Sequence, residues 1–299
     1  MTEATERVAE RVVTVVSSAA ALAAGQPERK SRRLLCAGIL ALLIAWTLPP
    51  LLTRLGDFPP VHWAEMGIAA PAHKLAAEGV YGNDLYAGHH RAEERNYEYM
   101  PAYPILVALS FKAFGLGVFQ ARLVSVLCAL VSILLIFELG RRFGDWRLGL
   151  LAAFLLTSLR LGYLPGSSGI VFVDLAREVR YDILVPVFVL ASSICFLRGA
   201  ERKSVPSLAM SGLLAGLATL AHLYGTFILP VFVLVLLWER GWRTFREPGV
   251  WAVAAGWMVG VLPWVVYVLR DVDAYLGQMA QHAVRFEIFS PAFYWSNLL

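Results

Sequence analysis

Four charged side chains crowd into six residues at the edge of an apolar run: Arg177, Glu178, Arg180 and Asp182 stand just before residues 183–197. Ionisable groups at such a boundary are costly unless they are paired or used. Read as one helix, the segment sets Glu178 four residues from Asp182 and Arg177 three from Arg180, so carboxylates and guanidinium groups share a face. Guanidinium groups bind phosphate oxygens through directional paired donors. A carboxylate can take the proton of an attacking hydroxyl. The combination suits transfer of a group from a lipid phosphate that lies in a membrane. A second polar stretch, residues 53–100, adds Glu65, Asp84, Tyr86, His62, His89 and His90. Long ordered loops of this kind usually carry function. His222 and Tyr224 fall between two later apolar runs, and Asp271, Asp273, His282 and Arg285 follow the last one.

Composition defines the elements that must hold these groups. The chain has 299 residues, 58% hydrophobic and only 16% charged, with a mean hydropathy of +0.62. A soluble domain carries roughly 25% charge and about 45–50% apolar residues. The values argue against a water-soluble globular enzyme, and against disorder, which needs low hydrophobicity and high charge. Cys36, Cys128 and Cys195 lie inside apolar runs and form neither a metal-ligand spacing nor a disulfide framework.

An α-helical span needs about 20 mostly apolar residues. Seven stretches qualify or come close: Leu34–Leu52, then residues 119–140, 148–163, 183–197, 206–221, 223–238 and 250–269. The expected fold is all-α, a polytopic transmembrane helical bundle of about seven spans. The runs are continuous and do not alternate, which argues against a β-barrel. Basic clusters stand before the first span (Arg29, Lys30, Arg32, Arg33), at Arg141, Arg142 and Arg147, at Arg198, Arg202 and Lys203, and at Arg240, Arg243 and Arg246. Seven spans with a cytoplasmic N-terminus bring all four clusters to the cytoplasmic side. That accounts for the net charge of +4 without nucleic acid. The chemistry-bearing segments then face the opposite side. Residues 103–114 make only about three helical turns, a juxtamembrane helix in the long first outer loop. The expected division is a cytoplasmic segment over 1–33 and a membrane module over 34–299. The apolar, unpunctuated end at Leu299 reads as the start of another element, as in a truncated module.

At this point the order of motifs resembles the polyprenyl-phosphate-sugar-dependent glycosyltransferases of the GT-C superfamily. The likeness is to the branch of protein O-mannosyltransferases and lipid A aminoarabinose transferases. Trp63-Ala64-Glu65-Met66-Gly67 stands where the family has an acidic pair after the first span. Met100-Pro101-Ala102-Tyr103-Pro104 through Phe111-Lys112-Ala113-Phe114-Gly115 resembles its juxtamembrane helix. Ala121-Arg122-Leu123 and Gly140-Arg141-Arg142-Phe143-Gly144 resemble the two ends of its next span, and Arg177–Asp182 its Arg-x-x-Arg-x-Asp lead into the fourth. The sequence departs at Ala64, where the family has Asp, at Met100, where many relatives have Lys, and at His222, which replaces a Lys.

The resemblance implies inverting transfer of a sugar from a polyprenyl-phosphate donor to a hydroxyl on a lipid, glycan or protein, at the outer face of a bacterial plasma membrane. Glu65 would be the general base or orient the acceptor. Arg177 or Arg180 would hold the donor phosphate, with Asp182 positioning them and also a catalytic candidate. Arg122 and His222 are further phosphate ligands, Arg122 being equally readable as an anchor. Asp84, Tyr103 and Glu178 are additional candidates. No cofactor is certain. Some relatives use a divalent metal, for which His62, Glu65, Asp84, His89 and His90 are available, without a metal motif among them. Two other readings remain open, a secondary transporter and a non-catalytic relative. The transporter lacks the expected repeats and midplane ionisable groups.

Overall fold

The computed structural model describes residues 30–161, 167–283 and 291–296. Among them every regular element is helical. The long helices are α1 (Lys30–Leu52), α2 (Trp63–Glu78), α3 (Ala102–Phe114), α4 (Val118–Phe143) and α5 (Trp146–Ser158). After the short α6 (Val171–Leu175) come α7 (Leu184–Arg202), α8 (Val205–Ala221), α9 (Ile228–Arg240), α10 (Pro248–Val268), α11 (Val272–Ala283) and the brief α12 (Pro291–Ser296). The expectation for residues 1–33 falls mainly outside the described residues, as do residues 162–166, the side chain of His282 and Arg285.

All seven apolar stretches are helices, but five reach spanning length: Leu34–Leu52, Val118–Phe143, Tyr181–Arg202, Leu223–Arg246 and Pro248–Val268. The expected span over 148–163 stops at Ser158, where Leu159 turns extended (φ −72°, ψ 112°). Thirteen residues make a helix of about 20 Å, short of the roughly 30 Å of a bilayer core. Helix α8 has 17 residues, and α3, with 13, is short as well.

Local chemistry sets the ends. Asp145 opens α5 by accepting the N–H groups of Arg147 and Leu148 at 2.9 and 3.3 Å, satisfying two otherwise orphaned donors. Ser204 opens α8 in the same way, with Pro206 in its first turn. Gly79 closes α2 in the left-handed region (φ 75°), where a side chain would be strained.

The helices run alternately between two ends. At one end α4 and α7 finish with Arg141, Arg142 and Arg198 gathered around Glu138, and Arg240 bonds Glu247 and the Ala200 carbonyl. At the other end, the end of α1, α2, α3, the start of α4 and residues 173–184 bury Leu51, Leu55, Ile68, Tyr103, Val107, Phe111, Val179 and Ile183 in one core. Helices α8 and α10 meet along Gly212, Gly216, Gly256 and Gly260. A Cβ on Gly212 would lie 1.9 Å from the Val253 carbonyl oxygen. Small residues four apart let two backbones approach this closely.

After α10, helix α11 folds back over the first long loop. Gln278 is buried; its Oε1 accepts the N–H of Tyr97 at 2.8 Å and its amide donates to the carbonyls of His90 and Arg95. Asp271 pairs with Arg91 at 3.0 Å beside it.

Candidate active site

The site end is organised around one buried ion pair. Arg122, in the first turns of α4, is 0% exposed, and Glu65, in the first turn of α2, is 1% exposed. Arg122 Nε and Nη2 donate to the two Glu65 oxygens at 2.9 and 2.7 Å, while Nη1 donates to the Leu55 carbonyl. This parallel two-point geometry is the strongest arrangement open to an arginine and a carboxylate. Glu65 Oε2 also accepts the N–H of Val179 at 2.8 Å. The pair therefore ties α2, α4 and the 177–182 segment together.

That segment is not the helix its spacing predicts. Helix α6 ends at Leu175, and Arg180 is extended (φ −134°, ψ 121°) before a 3-10 turn over Tyr181–Ile183. The backbone is drawn out of a helix by two buried partners: Glu65 takes the Val179 N–H, and Ser125 Oγ donates to the Glu178 carbonyl at 2.6 Å. Glu178 and Asp182 consequently do not share a face. Glu178 turns to His62, with Nε2 to Oε2 at 3.2 Å. Asp182 pairs with Arg180 at 2.9 Å, the two being 31% and 33% exposed.

Arg177 differs from the other two arginines. Its Nη2 donates to the carbonyls of Thr53 and Phe58 at 2.8 and 3.0 Å, and its guanidinium lies 5.4 Å from the centre of the Phe58 ring. Among the described residues its Nε is buried without a partner. Among the described residues no carboxylate forms an ion pair with it. Burial lowers its pKa, Asp174 opposing and Arg122 adding to the effect. The result is a half-buried cation in need of an anion, at the turn that follows α1.

His222 ends α8, and its Nδ1 accepts the N–H of Tyr224 at 3.2 Å. The ring stacks on Tyr181 with centroids 5.0 Å apart and planes at 15°. Burial holds its pKa below the ordinary histidine value, with Asp182 pulling the other way. Tyr103 is buried and hydrogen-bonded to Ser125 at 2.6 Å. Asp84 stands apart on an exposed 3-10 turn, bonded to Lys74.

The possible metal ligands do not converge. Among the described residues no three His, Cys, Asp or Glu side chains gather as a cation site. Glu65 is taken by Arg122 and Asp84 by Lys74. Sequence reasoning named Glu178 without its partner. It also passed over Ser125 and the carbonyls that hold Arg177. The one signal for the His62 contact is its place three residues before Glu65.

Comparison with known proteins agrees with the residue pattern. The profile of the family described as dolichyl-phosphate-mannose-protein mannosyltransferase matches residues 99–267. An undecaprenyl phosphate-alpha-4-amino-4-deoxy-L-arabinose arabinosyl transferase of Pseudomonas aeruginosa (strain UCBPP-PA14) is 29% identical over 65% of this chain. The enzyme of that name from Pseudomonas paraeruginosa is 28% identical. This chain spans 38% of the length of each. The crystal structure of ArnT from Cupriavidus metallidurans bound to undecaprenyl phosphate superposes with a TM-score of 0.61 at 20% identity, covering 80% of this chain and 43% of that one. That last likeness is one of fold. Matched by the profile over more than half its length, the chain belongs to the dolichyl-phosphate-mannose-protein mannosyltransferase family, within the GT-C glycosyltransferases that its motifs resemble.

Proposed function

We propose that this chain is the membrane module of a glycosyltransferase that moves a sugar from a polyprenyl-phosphate donor to a hydroxyl acceptor, with inversion, at the extracytoplasmic face of a bacterial inner membrane. The arabinosyl transferases it matches are named for undecaprenyl phosphate-alpha-4-amino-4-deoxy-L-arabinose, and the ArnT of similar fold binds undecaprenyl phosphate. The observation that carries the reading is Arg177, with which no carboxylate among the described residues forms an ion pair. Arg122 spends its charge on Glu65, and Arg180 is paired with Asp182. Among the described residues the direct partners of Arg177 are two carbonyls and a ring. A phosphate ester supplies what it lacks, and the site borders the last turn of α1, where a prenyl chain could enter the bilayer.

The other candidates take supporting places in this reading. Of the two roles open to Glu65, base or orienting group, the geometry favours the second, because both its oxygens are engaged by Arg122. Asp182 fixes Arg180 as a second, weaker cation for the departing phosphate, and the His222–Tyr181 stack walls that side of the site. Arg122 acts through Glu65, not on phosphate. Asp84 and Tyr103 lie outside the reacting zone.

The test is transfer of labelled sugar from a panel of polyprenyl-phosphate sugars, using membranes that contain wild type or Arg177→Gln. Hydrogen bonds to charged groups contribute roughly 1.5–3 kcal/mol, so the variant should bind donor about 10- to 100-fold more weakly. Wild-type turnover with unchanged donor affinity in the variant would remove Arg177 from the site. No turnover from any donor would point to a non-catalytic relative.

A further inference from the structure

Glu178 reaches a histidine that belongs to another element. Its carboxylate can only accept a hydrogen bond, so His62 Nε2 carries the hydrogen and donates to Oε2 at 3.2 Å. The ring's basic position is then Nδ1. The pair is held firmly from beneath. The Glu178 carbonyl accepts the Ser125 hydroxyl at 2.6 Å, and the N–H of the same peptide, that of Val179, donates to Glu65. Ser125 is itself bonded to Tyr103, and both are fully buried. The peptide that follows Glu178 is thus fastened to the core at both its carbonyl and its N–H, while the Glu178 side chain is partly exposed. His62 stands immediately before α2 in extended backbone (φ −112°, ψ 165°), and its ring caps nothing on that helix. The two side chains are 35% and 24% exposed, accessible but not free. Arg177 is the residue next to Glu178.

We infer that His62, oriented by Glu178, removes the proton from the acceptor hydroxyl. This rests on the reading of Arg177 as the donor-phosphate anchor. In the step, the hydroxyl proton passes to His62 Nδ1. The acceptor oxygen forms a bond to the anomeric carbon, and the bond from that carbon to the phosphate oxygen breaks. Its electron pair leaves with the lipid phosphate, whose added charge falls beside Arg177. Glu178 stays ionised and balances the imidazolium, and the proton is then lost to solvent. The arrangement is that of a histidine base steadied by a carboxylate. Two carboxylates face His62. Glu65 Oε1 is 4.0 Å away, with its charge matched by Arg122. Glu178 is closer and, among the described residues, pairs with no Lys or Arg side chain.

The experiment compares the full chain as wild type, His62→Gln, His62→Ala and Glu178→Gln, in membranes supplied with labelled polyprenyl-phosphate sugar. The exposed His73 of α2, changed to Gln, is the control and should transfer at the wild-type rate. His62→Gln should lower kcat about 10²- to 10⁴-fold, abolish the fall in rate on the acid side, and leave affinity for polyprenyl phosphate unchanged. Added imidazole should restore part of the activity of His62→Ala. Glu178→Gln should lower kcat by less. A wild-type kcat and acid limb in His62→Gln would overturn the inference while leaving the glycosyltransferase reading intact. A loss that merely follows protein level, without imidazole rescue, would overturn it too. Failure of the wild type to use any donor would bring down both.

Discussion

Arg122 and Glu65 form an ion pair buried at the junction of three segments. Taking two ions out of water is costly, and the pair is viable because two parallel hydrogen bonds, the Leu55 carbonyl and the Val179 N–H complete it. Removing one partner leaves the other charged and alone. Arg122→Met should therefore destabilise the protein by roughly 3–5 kcal/mol. Thermal unfolding in detergent would measure it, and the double variant Glu65→Leu/Arg122→Met should recover much of the loss. If the double variant is as unstable as the single, the pair is not the source of the penalty. Both residues were legible in the sequence, one by its place after the first span and one by its place inside the next. Their pairing was not, because 57 residues separate them and 114 separate Glu65 from Val179. No local spacing encodes a contact of that range. The same gap explains why Glu178 and Asp182, four residues apart, were expected on one face: the helical period was assumed, and tertiary partners overrode it.

Helices α8 and α10 form the closest packed pair of elements, and their contact is written in glycine. Gly212 and Gly216 lie four apart on one helix, Gly256 and Gly260 four apart on the other, which places each pair on one stripe. A Cβ on Gly256 would stand 2.0 Å from the Ala209 carbonyl oxygen, so the stripe cannot accept even alanine without the helices separating. Gly212→Leu should cost more than the roughly 1–3 kcal/mol of ordinary overpacking, and it should broaden or abolish the monodisperse peak in size-exclusion chromatography. Gly38 in α1 has nothing within 4 Å of its Cβ position, so Gly38→Ala should leave the peak unchanged. The existence of each apolar helix was readable from composition, because continuous hydropathy is a local property. Helix length was less so. The run to Tyr163 contains no charge apart from Arg160 after Trp146-Arg147, yet the backbone leaves the helix at Leu159.

Across the whole molecule, ion pairs gather at both ends. Arginines at the ends of α4 and α7 surround Glu138, and the candidate site occupies the opposite end. The positive-inside rule predicts that the arginine end faces the cytoplasm. A cysteine at each end tests it, in a background where the partly exposed Cys195 is replaced by serine. A membrane-impermeant thiol reagent applied to intact cells should label Asp84→Cys and spare Arg243→Cys; the reverse pattern would invert the topology. The latch of α11 has a further consequence, in time. Tyr97 and Gln278 are 181 residues apart in the chain. At roughly 5–20 residues per second of synthesis, the first loop emerges about 10–40 s before the glutamine that fastens it. Throughout that interval the first long loop stands without the glutamine that fastens it in the finished fold.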